Sequence, residues 1–289
     1  MKKKIAISRR HLLQNVGAAV TLSALTGSEA GSAHAAATPQ NANRRSRVFA
    51  LIGDRYHNPD YIRVSLDKLF KDLNLAVTYT SNYDDLSGSA LRDHQLFVCL
   101  RDGMIWPGGY LGPDAYSGYE RYLENPSSFP KETPETWITE EQGEAVKDFV
   151  TRGNSFYSLH NNSHLSLSSK SYRAVMGGAY IGHPPLRPFK VTIARKDHPI
   201  TRGVHDFMVN DEQHFVVYDK DPQNIILRAE NIDGLAYGDH GTQSISGWAH
   251  EYGKGRVVFT AVGHNIHAMW QPEYFKLQKN AVRWLLRET

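Results

Sequence analysis

The sequence predicts an α/β fold of three layers: a mostly parallel central sheet with helices on both faces. Short, continuous apolar runs of strand length recur along the chain, as expected of strands buried on both sides. Segments with helical apolar spacing lie between the first of these runs, the usual connection between parallel strands. Residues 47–52 (Arg-Val-Phe-Ala-Leu-Ile) are the first run. Asn58 and Pro59 then open a helix with Pro at its first position, and Ile62, Leu66, Leu69, Phe70 and Leu73 share one face. Residues 75–80 and 95–100 read as strands two and three.

The pattern stops between residues 101 and 138, a Pro-, Gly- and Tyr-rich insert too long for an ordinary connection and of the kind that shapes an active site. Thr139 to Gln142 forms a capping box that starts a helix carrying Ala145, Val146, Phe149 and Val150 on one side. Residues 154–159 are strand four, and 189–194, 225–230, 243–248 and 256–262 are further strands. Gly253-Lys254-Gly255 makes a tight hairpin turn with Lys254 toward solvent, and 272–287 is a closing amphipathic helix.

The 289 residues carry 33 Lys+Arg against 30 Asp+Glu, a formal charge of +3, with 14 His and one Cys. One cysteine excludes an internal disulfide, a Cys-rich zinc site and an iron–sulfur cluster. Residues 1–35 read as a twin-arginine export signal, with Lys2-Lys3-Lys4, Arg9-Arg10, a weakly apolar stretch and Ala33-His34-Ala35 as cleavage site. Residues 36–46 are a polar linker, and 47–289 form one domain. The apolar stretch of the leader is shorter than the ~20 residues of a membrane span, so no stable insertion is expected. Cleavage removes five basic residues and one acidic residue, leaving 28 against 29, net −1. The basicity belongs to the leader, and no nucleic-acid partner is implied.

In sheets of this kind, ligands bind beyond the carboxyl ends of the strands. Asp54, Arg55, Tyr56 and His57 follow strand one, and Arg101 and Asp102 follow strand three. Strand four ends in His160-Asn161-Asn162, and the strand at 256–262 ends in Gly263-His264-Asn265. Three separate strand ends therefore deliver a histidine to one edge. Gly177-Gly178 lacks the Lys-Ser/Thr of a phosphate loop, and no nucleotide cofactor is expected. His198 is read as structural, His94, His205 and His240 as loop or surface residues, and His183 is left open.

From about Arg47 to Glu288 the sequence resembles the ThuA-like (trehalose utilisation-like) family. Four stretches carry the resemblance: Gly153 to His160; Gly177-Gly178-Ala179-Tyr180-Ile181-Gly182-His183-Pro184, which reads as a turn; His198-Pro199-Ile200-Thr201 with Asn210 to His214; and Trp248 to Val257 leading to Gly263-His264 and Trp270. The chain departs from the family at Asn154, in place of a second glycine, and at His214, in place of an aromatic residue. The resemblance implies a class I glutamine amidotransferase-like, flavodoxin-like fold. That superfamily places a nucleophilic Cys on the turn after a central strand. Here the turn holds His160, and Cys99 lies inside an apolar run, so glutaminase chemistry is excluded.

The resemblance also implies carbohydrate metabolism, with a small-molecule sugar or a 3-keto glycoside as substrate. Catalysis is expected from His57, His160, Glu212 and His264. Asp102, Asn161, His214, Trp248 and Trp270 are expected to bind substrate. Two chemistries fit. In one, His57, His160 and His264, with Glu212 or Asp102, hold a divalent metal such as zinc, manganese or iron. In the other, Glu212 or a histidine is the general base and another histidine the acid. A non-catalytic carbohydrate-binding protein on the same frame is the alternative, and convergence of His57, His160, Glu212 and His264 in one open pocket distinguishes the enzyme from it.

Overall fold

The computed structural model describes residues 47–107 and 133–288. The expected leader (1–35), the linker (36–46) and residues 108–132 of the insert lie outside the described residues. The first half of the fold runs β1 (Val48–Ile52), α1 (Pro59–Asp72), β2 (Val77–Thr80), α2 (Gly88–Leu91), β3 (Leu96–Leu100), β4 (Met104–Ile105), β5 (Glu135–Thr136), α3 (Glu140–Thr151) and β6 (Ser155–Leu159). A 3-10 segment, His160–Leu167, leads to α4 (Lys170–Met176) and then to β7 (Gly178–Gly182), β8 (Arg187–Ile193), β9 (Phe207–Asp211) and β10 (Phe215–Tyr218). The chain closes with β11 (Ile225–Asn231), β12 (Gln243–Tyr252), β13 (Gly255–Thr260), α5 (Ile266–Met269) and α6 (Pro272–Leu285).

Nine strands form one sheet in the order β2-β1-β3-β6-β13-β12-β11-β8-β9. Pairing is parallel from β2 to β13 and antiparallel from β13 to β9. The parallel sheet with helices on both faces is the expected class. The far half is antiparallel because its strands are joined by turns and loops rather than by helical crossovers. Alternate residues of the parallel strands enter two cores. Val48, Ala50, Leu96, Val98 and Tyr157 pack with α1 and α6. Phe49, Leu51, Phe97, Cys99 and Phe156 pack with α3 and α4.

The local signals act as their chemistry requires. The Asn58 side chain accepts the Asp60 N–H ahead of Pro59, and both halves of the Thr139/Gln142 capping box form. Strand two starts at Val77 rather than Leu75, because the Leu75 N–H bonds the Phe70 carbonyl and closes the end of α1. Gly253 and Lys254 turn β12 into β13, with Lys254 exposed. The Gly177 to Pro184 stretch is largely strand instead of turn, since β7 pairs with β10 in a separate two-stranded ladder. Gly178 is required there by close approach: a methyl group would collide with the Val217 carbonyl and the Trp248 ring. Among the described residues, no helix is long and apolar enough to cross a membrane.

Candidate metal centre

The carboxyl ends of the parallel strands deliver Asp54 and His57 after β1, Asp102 after β3, His160 after β6 and His264 after β13. An even number of antiparallel steps separates β9 from β13, so β9 points the same way and presents Asp211 and Glu212 at the same edge. Asp211 ties the two ends together. Its buried carboxylate accepts the Gly263 N–H at 2.7 Å, the His264 N–H at 3.1 Å and the Glu212 N–H at 3.0 Å.

His160 occupies the sharp turn between β6 and the 3-10 segment, with φ of 55°, a left-handed conformation uncommon outside glycine. The sharp turn at the end of the strand thus carries an imidazole. A side chain on Gly263 would strike the His160 Cβ at 2.8 Å, so glycine lets the two strand ends close. Cys99 is fully buried in β3, where desolvation pushes its thiol pKa far up. It has no access to a substrate.

Glu212 Oε2 is the focus of the cluster. His264 Nδ1 lies 3.1 Å from it, His160 Nε2 3.4 Å, His214 Nε2 3.5 Å and His183 Nε2 3.6 Å. His57 Nε2 joins through His264 Nδ1 at 3.1 Å. Hydrogen bonds fix which nitrogens are bare. His57 Nδ1–H donates to Asp54 at 2.8 Å, His160 Nδ1–H to the Ala261 carbonyl at 2.7 Å, and His183 Nδ1–H to the Pro184 carbonyl at 2.9 Å. Each of these rings therefore turns an Nε2 lone pair inward. A carboxylate or carbonyl behind an imidazole is the usual support of a metal-bound histidine.

Burial holds the His160 pKa down, partly countered by Glu212, and drives that of His214 well down. Burial thus disfavours the charged form of both rings, the form that cannot ligate a metal. Burial alone would raise the Glu212 carboxyl, but His160, His214 and His264 outweigh it and keep the group ionised far below the usual carboxylate range. Asp54 shows the same balance: burial opposes its charge, yet His57 and Asn161 bring its pKa to about 2. The ionised carboxylate thus sits at the centre of a ring of imidazole nitrogens. Among the described residues, His160 Nε2 and both ring nitrogens of His214 have no hydrogen-bond partner, although both side chains are buried. Unpaired buried polar atoms cost roughly 1–3 kcal/mol each, and a cation placed among them removes that cost. His57, His160, Glu212 and His264 have ligand atoms within 4.8 Å of one another, as do His183, Glu212 and His214. Either group could hold a metal.

Asp54→Asn is expected to preserve the packing of His57 but release its tautomer, weakening divalent-ion binding by about 10- to 100-fold. Titration of chelator-stripped protein measures this, and unchanged affinity would remove His57 from the ligand set.

A cavity of about 690 Å³ opens over the cluster, lined by residues that include His57, Asp102, Asn161, His214, Glu212 and His264. His160 lies fully buried beneath, in contact with Glu212. The Asn161 amide donates to Asp54 at 3.0 Å, so it positions the Asp54–His57 pair from the cavity wall. The Asp102 N–H also bonds Asp54, while the Asp102 carboxylate accepts from the Met104 N–H and stands 3.8 Å from His164.

Both tryptophans fall outside the cavity. Trp248 is completely buried; its Nε1–H caps the Met176 carbonyl at the end of α4 and its ring packs on Phe259. Trp270 lies 4.4 Å from the Lys68 ammonium. The burial of Trp248 corrects its expected role in substrate binding, while Trp270 is half-buried and does not line this cavity. His198 is structural as expected, accepting the Ile200 N–H on Nδ1. Sequence reasoning did not select Asp54, Asp211, His164, Tyr180 and His183 for the site. Asp54 could have been found three residues before His57, and His183 within its Gly-His-Pro segment.

The family described as trehalose utilisation (ThuA) matches residues 48–285. A ThuA-like protein from Bacteroides uniformis ATCC 8492 aligns with a TM-score of 0.56 at 14% identity, over 86% of this chain and 94% of that one. A ThuA-like protein from Parabacteroides merdae ATCC 43184 aligns with a TM-score of 0.56 at 14% identity, over 85% and 91%. At this identity the likeness shows a common fold. No curated protein matches the chain. The match over nearly the whole described domain places the chain in the trehalose-utilisation (ThuA) family.

Proposed function

We propose that this chain is an exported, metal-dependent enzyme acting on a sugar or glycoside, with 3-keto glycosides as the leading substrates. The observation that carries this reading is the group of four imidazole nitrogens at 3.1–3.6 Å from one carboxylate oxygen, beneath an open cavity. Its volume of about 690 Å³ lies within the ~300–1,000 Å³ range of small-molecule sites. Convergence of His57, Glu212 and His264 on that cavity, with His160 behind, favours catalysis over passive binding. The family description supplies the carbohydrate class.

His57, His160, His264 and Glu212 would hold the ion, with zinc, manganese or iron suited to imidazole plus carboxylate. Bound there, a divalent ion supplies Lewis acidity to a carbonyl or hydroxyl oxygen. Asp54 and the Ala261 carbonyl hold the ligand rings in their inward-facing tautomers. Asp102 and His164 stand on the cavity wall within 3.8 Å of each other, where they can exchange a proton with the substrate during hydrolysis, elimination, hydration or isomerisation next to a carbonyl. Tyr56 and Tyr180 give the cavity aromatic surface for a sugar ring.

The test is turnover of plain and 3-keto glycosides by the purified chain, before and after chelation and with added zinc, manganese or iron. The expected result is keto-glycoside turnover that chelation removes and one cation restores. Undiminished turnover after complete stripping would support the metal-free acid–base scheme. Sugar binding without product would support the carbohydrate-binding alternative.

Export through the twin-arginine route rests on Arg9-Arg10 and the Ala33-His34-Ala35 segment. Replacing both arginines with lysine is expected to leave unprocessed precursor in the cytoplasm, as followed by fractionation. Normal export of that variant would remove the assignment.

A further inference from the structure

Two charged groups at the strand ends take no part in the metal centre: Arg55 after β1 and Arg101 after β3. They line a second cavity, of about 290 Å³, whose walls include Ser81, Met104 and Trp106. Arg55 and Met104 also line the larger cavity over the cluster, so the two spaces adjoin along these side chains. At this shared wall the Arg55 guanidinium carbon lies 4.4 Å from the centre of the Trp106 ring.

Arg101 is the unusual group, because only 8% of it is exposed. Its Nη1 donates to the carbonyls of Gly53 and Ser81, and the Tyr83 and Trp137 rings lie 5.0 and 5.7 Å from its guanidinium carbon. Among the described residues, its Nε has no hydrogen-bond partner. Burial opposes the charge, and Asp54 offsets part of that cost. The Asp54 oxygens, however, accept from the backbone N–H groups of Tyr56, His57 and Asp102 and from the side chains of His57 and Asn161. A carboxylate engaged in this way leaves the guanidinium short of an acceptor. A buried charge without its full set of hydrogen bonds is costly, and an anion placed against it removes that cost.

We propose that the second cavity is an anion subsite, in which Arg101 and Arg55 receive a carboxylate or phosphate group of the substrate held over the metal cluster. The guanidinium fork matches both groups and binds them more strongly than it binds a neutral oxygen. Because Arg55 and Met104 belong to both cavities, a sugar ring in the larger one can extend its acidic group past them into the smaller. The substrate class narrows to a sugar acid or a sugar phosphate, or a glycoside of either. This use of the subsite rests on the reading of the larger cavity given above; the anion affinity itself does not.

Isothermal titration calorimetry of the chelator-stripped full chain at low ionic strength tests it, with no bound metal to attract the anion. The probes are glucuronate, glucose 6-phosphate and, as the neutral control, glucose. At least one acidic sugar is expected to bind about tenfold or more tighter than glucose, and the one that does so identifies the group. Arg101→Gln and Arg55→Gln are each expected to remove the preference. Arg55 stands at the wall between the cavities, so its variant keeps the test decisive if Arg101→Gln fails to fold. Equal binding of all three sugars, or no binding of either acid, overturns the subsite. A preference that survives in the folded variants places the anion on the histidine cluster and overturns it too. Metal-dependent turnover of neutral glycosides with no anion preference overturns the subsite alone. An Arg-dependent preference with no turnover of any glycoside, acidic ones included, keeps the subsite and overturns the enzymatic reading.

Discussion

Glu212→Gln is expected to lower divalent-ion affinity by at least about 100-fold and turnover by about 1,000-fold, while the stripped protein melts at or above the wild-type temperature. The first two effects follow from the central place of the carboxylate, with four imidazole nitrogens within 3.6 Å of one oxygen. The amide keeps the shape but loses the charge that offsets a cation. The third effect separates a metal ligand from a salt-bridge partner. If Glu212 served to pair buried imidazolium rings, its removal would cost about 3–5 kcal/mol. If the rings are neutral and turn lone pairs toward it, an amide N–H in that position satisfies one of them and stabilises the metal-free state. Differential scanning calorimetry of both stripped proteins decides, and a large drop in melting temperature would contradict the metal reading.

Asp211→Ala is expected to cost about 3–5 kcal/mol, seen as a fall in melting temperature of roughly 10 °C, because three backbone N–H groups lose their acceptor together. The carboxylate accepts the amides of Gly263, His264 and Glu212, and it joins the end of β9 to the end of β13. Without it, His264 and Glu212 are no longer held to a common position, so ion affinity should fall with stability. Asp211→Asn tests the same linkage with less volume lost: one oxygen still accepts, but the new amide group is a donor facing other donors. Denaturant unfolding and metal titration of both variants measure the two effects. A variant that loses neither would show that the strand ends are held by packing alone.

The parallel half of the fold was legible because its strands are buried on both faces and therefore read as unbroken apolar runs. β7, β9 and β10 were not, for physical reasons. β9 alternates buried and exposed residues at the edge of the sheet, and β7 is rich in glycine that close packing against Val217 and Trp248 demands. The His57, His160 and His264 positions followed from the rule that parallel strands end on one edge. Glu212 was supplied by family resemblance, since nothing local shows that β9, at the far end of the sheet, returns its carboxyl end to β13. Trp248 misled for a related reason: an aromatic in a motif looks the same in sequence whether it caps a helix, as Trp248 does, or faces a ligand. Asp211 is silent in sequence because its role depends on amides of distant segments brought together only by the fold.

The most direct test of the central claim is an anomalous-scattering map from crystals of the chain soaked in zinc after removal of other metals. The account predicts a peak about 2.0–2.2 Å from His160 Nε2 and from the Glu212 carboxylate. A map with no peak there, and with Glu212 hydrogen-bonded directly to protonated imidazoles, would contradict it.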